Sequence, residues 1–167
     1  MPEEEFRETI MFEWRLRDLK SLFDASTANQ KSQVIKSSLF GNGQWQILLY
    51  TNSGLGSSKD PASGTISLFL SCEPTMGEKQ AADGSDLGWV REGAYGFTFE
   101  ILDINKTEHI VTKEARNHHF SQKTANWGWA QFASRESVFY SRPSIRREDA
   151  LLLMCKVEHE ATTGEQI

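Results

Sequence analysis

The sequence predicts an all-β protein, an antiparallel β-sandwich with a short helical insert. Three observations predict it. Seven or eight short apolar runs recur along the 167 residues, most with two-residue periodicity, and Gly, Ser, Asn and Pro separate them. The segment 65–72, TISLFLSC, alternates cleanly, with Ile66, Leu68, Leu70 and Cys72 on one face and Ser67, Phe69 and Ser71 on the other. No long helical pattern intervenes, which favours stacked antiparallel sheets over an α/β arrangement.

Taken in order, residues 1–8 (MPEEEFRE) are acidic and read as a loose segment, with the domain over 9–158 and a polar, linker-like tail over 159–167. TIMFEWRL (9–16) is strand-like, with Phe12, Trp14 and Leu16 sharing one side. Residues 18–26 suit a short helical turn and 27–32 a loop. QVIKSSLF (33–40) and QWQILLY (44–50) form hairpin partners around Gly41-Asn42-Gly43, whose residues tolerate positive φ. Residues 51–64 are a long Gly/Ser/Pro loop without a phosphate-binding pattern. After the strand 65–72, Pro74 near a first helical position predicts a short helix within 73–82, ended by DGSDLG (83–88). Strands follow at 95–102, 109–115 and 137–141. Residues 146–157 carry apolar residues on both parities, as in a strand covered on both faces, with a helix as the alternative.

Hydrophobic residues make up 38% and charged residues 25%, no apolar run reaches transmembrane length, and no apolar signal core follows the start. The net charge of -5 and the scattered basic residues argue against a nucleic-acid groove. Cys72 and Cys155 lie in apolar runs and read as buried reduced thiols, with a disulfide open only if their strands adjoin. No HExxH, GxSxG, CxxC or dinucleotide fingerprint occurs, so no catalytic residue, metal or cofactor is assigned.

The binding chemistry gathers at TANWGWAQF (124–132). It places Trp127 and Trp129 around Gly128, read here as facing opposite ways from an extended segment, one toward packing and one toward a cleft. Phe69 sits on the serine face of its strand, outside the core, whereas parity sends Phe97 inward with Phe99.

The ordered set FEWRLRDL, VIKSSLF, WQILLY, ISLFLSCEP, YGFTFEIL and NWGWAQF resembles the MATH, or TRAF-like, domain from about Phe12 to Val157. The Asn-Trp-Gly-Trp variant and the insert after SCEP look like a fungal branch. The resemblance implies an eight-stranded antiparallel sandwich that binds short linear peptides without catalysis. It implies adaptor or substrate-recognition roles in ubiquitin-linked or signalling pathways, in the cytoplasm or nucleus. By motif position, the peptide groove would comprise Phe69, Phe97, His118 (with His119 as the alternative), Ala125, Asn126, Trp127, Gly128 and Trp129. Three departures stand out: Asn126 where the family has an acid, Phe69 without a tyrosine hydroxyl, and Trp129 where the family has phenylalanine. The family's serine-rich peptide preference is therefore not carried over. Other readings are a homo-oligomer built on the same aromatic patch and a carbohydrate-binding sandwich stacking sugars on its five tryptophans.

Overall fold

The computed structural model describes residues 8–26, 30–55 and 60–160. The expected loose start, most of the expected tail and part of two loops lie outside these residues. Eight strands form two four-stranded antiparallel sheets. One sheet has the order β1 (Thr9–Arg17), β8 (Ala150–Glu160), β5 (Ala94–Asp103), β6 (His109–His118). The other has the order β2 (Val34–Lys36), β3 (Trp45–Tyr50), β4 (Thr65–Cys72), β7 (Asn126–Ser134). The sandwich and the alternation of β4 match the sequence expectation: Ile66, Leu68, Leu70 and Cys72 are buried between the sheets.

The core follows from strand parity. Trp45, Ile47 and Leu49 of β3 meet Phe97, Phe99 and Ile101 of β5 and Leu151, Leu153 and Cys155 of β8 in one buried cluster. Burying such rings and branched chains supplies the main driving force, at about 25 cal/mol per Å² of apolar surface. Aromatic edges interlock within it: Trp45 meets Tyr95 and Phe120 at ring separations of 5.2 and 5.1 Å.

The turn residues behave as their chemistry requires. Gly41, Asn42 and Gly43 all take positive φ, and Phe40 bridges Trp45 across them. The strand expected over 33–40 is shorter, Val34–Lys36. Beyond it the Ser37 hydroxyl accepts the Ile47 N–H and donates to the Ser38 carbonyl, so a side chain replaces part of the ladder.

The short helices are α1 (Leu19–Asp24), α2 (Met76–Ala81) and α3 (Pro143–Glu148). Helix α2 is the expected insert helix. Thr75 caps it reciprocally with Glu78, Thr75 Oγ1 accepting from the Glu78 N–H and Glu78 Oε1 from the Thr75 N–H. Arg91, 4% exposed, ties the insert to the sandwich. It donates to both Glu78 carboxylate oxygens at 2.9 and 2.7 Å and to the Glu73 carbonyl at 2.9 Å, and it lies over the Trp45 ring.

Two sequence expectations are corrected. Residues 137–141 do not form a strand; Glu136–Tyr140 make a π-helical turn. The cause is Arg135, which is fully buried. Its guanidinium donates to the carbonyls of Phe23, Ser26, Thr51 and Pro61 and to the hydroxyls of Ser26 and Tyr140. That web ties the end of α1 and both ends of the loop 51–64 to one side chain and to Tyr140, and turns the backbone after β7 away from a sheet. The apolar run 146–157 also divides, since α3 ends at Glu148 and β8 starts at Ala150, with Asp149 in the left-handed region between them. β8 runs to Glu160, two residues past the expected domain boundary.

Candidate functional site

β7 is an edge. Among the described residues its one strand neighbour is β4, and side chains of β6 meet it at His118–Trp127 and Lys113–Gln131. The register pairs Trp127 with Leu70, Gly128 with Phe69 and Asn126 with Ser71. The Cys72 N–H donates to the Ala125 carbonyl at 2.8 Å. Alternation along an antiparallel ladder then directs the backbone groups of Trp127 and Trp129 to β4 and those of Asn126 and Gly128 to the open side. Ala125 is thus engaged by β4, while Asn126 is exposed and begins the free edge.

The tryptophans do not face opposite ways. Residues two apart in a strand share a face, and both project on the side of Leu68 and Leu70. Their surroundings differ because of depth. Trp129 packs edge-on against Phe97, Phe99 and Phe132 at 5.8, 6.1 and 5.6 Å. Trp127 emerges at the rim, 47% exposed, and stacks on His118 at 4.3 Å with ring planes 14° apart.

His118, the last residue of β6, is held from two further sides. Its edge meets the buried Phe120 ring at 4.4 Å, and Nε2 lies 3.2 Å from the Thr124 carbonyl. That contact needs a proton on Nε2. Partial burial holds the imidazole pKa below the usual histidine value, with the Thr124 carbonyl pulling it the other way and the neighbouring His119 adding to the depression. His118 rather than His119 therefore stands beside Trp127.

Phe69 occupies the other side of β7. On the outer face of its sheet the register sets Leu48, Phe69 and Gly128 in one row, with Tyr50 edge-on to Phe69 at 6.3 Å. Gly128 contributes no side chain to that row, so Phe69 is left uncovered toward the edge and is partly exposed. Phe97 does not join this surface. It is 1% exposed and forms the wall behind Trp129, as parity indicates and against the groove position carried over from the family.

The structure thus brings His118, Asn126, Trp127, Gly128 and Phe69 to one edge, with Trp129 and Ala125 half-buried beneath and Phe97 interior. Motif matching alone missed Tyr50, although the parity of QWQILLY already separates it from Trp45, Ile47 and Leu49; Leu48 shares its face but is buried. Trp89, another aromatic of the insert, does not fill the edge; it is 8% exposed and belongs to the core cluster. Cys72 and Cys155 are free and buried, and burial raises both thiol pKa values, that of Cys72 to about 12, which leaves no nucleophile there. Among the described residues no cluster of metal-ligating side chains occurs, and no helix is long and apolar enough to cross a membrane.

A family model described as the MATH domain matches residues 11–157. No curated protein matches the chain.

Proposed function

The chain belongs to the MATH domain family, whose members are in general protein-interaction modules, and on that premise we propose that it binds extended linear peptides of partner proteins along β7. The observation that carries the proposal is the free β7 edge with Trp127 exposed beside it. An added strand would bond to the backbone groups of Asn126 and Gly128. Its side chains would alternate between the Trp127–His118 rim and the Phe69–Tyr50 face. Asn126 offers an amide that both donates and accepts, suited to a neutral polar side chain.

Few contacts of this kind support modest affinity, so oligomeric partners would gain by avidity. A substrate-recognition or adaptor role in a ubiquitin-linked pathway, in the cytoplasm or nucleus, goes with this reading. So does a fungal origin, supported by the Asn-Trp-Gly-Trp variant and the insert. The test is a random-peptide array probed with wild type, Trp127→Ala and Phe69→Ala, each checked for folding by circular dichroism. Loss of the same ligands by both variants is expected. Equal binding by all three proteins refutes the proposal.

The same free edge favours one second reading, pairing with the β7 edge of another copy. Sedimentation across a concentration range separates the two, since a strict monomer excludes self-pairing. Sugar stacking is disfavoured: Trp45 and Trp89 are buried, Trp14 and Trp129 are partly buried, and Trp127 alone of the five tryptophans is well exposed.

A further inference from the structure

Charge is distributed unequally between the two sheets. Every strand of the β1-β8-β5-β6 sheet carries at least two charged residues. The β2-β3-β4-β7 sheet has a single one in its four strands, Lys36. β7 and the Phe69 row are therefore free of charge, and a ligand lying there desolvates no ionic group of either strand.

Lysines stand around this neutral surface. Lys123 lies three residues ahead of Asn126, in the short 3₁₀ turn Gln122–Thr124, and is exposed. Near the far end of β7, Lys113 of β6 reaches across, its Nζ 3.4 Å from the Gln131 carbonyl and over the Phe132 ring. Across the sheet, Lys36 on the opposite edge strand pairs in register with Leu48 and is three strands from Gly128, and Lys31 lies over the Tyr50 ring at 4.3 Å. None of these four lysines forms an ion pair among the described residues.

Of the acids in this region, Asp83 and Asp86 are exposed in the insert that bonds Gln122, Glu136 follows the far end of β7, and two others are turned away or engaged. Glu114, adjacent to Lys113, turns to the opposite side of β6 and is held by Arg116. Glu73 stands at the end of β4, with Oε1 3.5 Å from the Ser71 hydroxyl, beside the start of β7. In a chain of net charge -5, Lys123 and Lys113 stand at the two ends of one uncharged edge, with Lys31 and Lys36 farther across the same sheet.

We propose that the β7 edge selects peptides with an uncharged, apolar centre and Asp or Glu residues flanking it on either side. This rests on the peptide-recognition reading above. Lys123 sits in the turn just ahead of Asn126, and Asn126 and the Gln131 carbonyl that Lys113 contacts are five extended residues apart, so the flanking acids are set by a span of roughly 17 Å or slightly more. The lysines are exposed or at the rim, so each contributes modestly and through salt-sensitive attraction. Their main effect is discrimination: a peptide with basic flanks meets a like charge at each end of β7.

A displayed library of random 15-residue peptides, selected on the wild type and counter-screened on Trp127→Ala, tests this. Peptides that depend on Trp127 are expected to carry Asp or Glu on both sides of a neutral stretch. Changing those acids to Asn or Gln should weaken a labelled peptide about three- to tenfold. Lys113→Gln/Lys123→Gln should weaken the acidic peptide to a similar degree and leave its Asn/Gln version almost unaffected. The unmodified protein should lose affinity for the acidic peptide as salt rises, a measurement that needs no variant to fold. Trp127-dependent peptides with neutral or basic flanks overturn the charge inference and leave peptide recognition standing. If no selected peptide depends on Trp127, the peptide reading and the charge inference fall together.

Discussion

Replacing Gly128 by alanine tests the seam on which the candidate site depends. A Cβ at this position would lie 2.8 Å from the Phe69 Cα and 3.1 Å from the Leu68 carbonyl carbon, and nearer still to the Leu68 carbonyl oxygen. These are main-chain atoms of β4, a strand paired on both sides, so no side-chain rotation relieves the contact. Ordinary carbon contacts fall near 3.5–4.0 Å, so β7 would have to move out from β4 by roughly 0.5–1 Å. Overpacking of this kind costs about 1–3 kcal/mol, and a backbone obstacle places it at the upper end. The loss of glycine's freedom in the unfolded chain offsets about 0.4–1 kcal/mol. The net expectation is a destabilisation of about 2 kcal/mol, or a melting temperature lower by about 4–8 °C for a chain of this size. Urea unfolding followed by tryptophan fluorescence should show a lower midpoint at unchanged slope. Gly77→Ala supplies the contrast. A Cβ there meets only Thr75 Oγ1, at 3.9 Å, within α2, so stability should hold or rise by up to about 1 kcal/mol. If Gly128→Ala unfolds within about 0.5 kcal/mol of wild type, the close β4–β7 approach does not constrain the edge and the reasoning fails.

Arg135→Leu should cost about 3–5 kcal/mol in chemical denaturation, because it strands carbonyls of α1 and of both ends of the loop 51–64 that share one buried guanidinium; a loss under about 1 kcal/mol would show those segments to be held by other contacts. His118 is held neutral by partial burial, its folded pKa lying below the ordinary value of 6.5. A depressed histidine pKa contributes stability that is complete above the unfolded value and is lost as pH falls from there through the folded value. Wild type should therefore lose more unfolding free energy than His118→Phe between pH 7.5 and 5.5, and parallel pH profiles would contradict the burial argument. Finally, Cys72 and Cys155 should resist a thiol-reactive disulfide reagent in the native protein and react fully in urea; rapid native labelling of either would mean its strand opens readily.

Where the sequence could be read, it was read from strand periodicity. The alternation of 65–72 placed Phe69 outside and its neighbours inside, and the parity of YGFTFEIL placed Phe97 in the core against the family-derived groove role. The hairpin residues Gly41-Asn42-Gly43 likewise matched the backbone, and a short helix does form within 73–82, although Pro74 precedes its Thr75 cap instead of opening it. Misreadings arose where a distant side chain decides local structure. Val138 and Phe139 look like strand residues, yet Arg135 bonds to groups up to 112 residues away and sets a π turn instead. The edge status of β7 is equally non-local, since only the strand order leaves it a single neighbour. The stacking of Trp127 on His118 requires β6 and β7 to meet across the two sheets, which no local pattern encodes.

The register of β8 has a practical outcome. His159 pairs with Tyr95, Tyr95 pairs with His118, and His118 stacks on Trp127. The backbone at His159 is thus about 10 Å, two strand spacings, from the imidazole's own strand. A candidate ligand joined behind Glu160 by a short Gly/Ser tether would start its search two strands from the His118–Trp127 stack, at an effective concentration in the millimolar range. Such a single-chain fusion converts a weak, transient encounter into an intramolecular one that can be crystallised or followed by indole fluorescence.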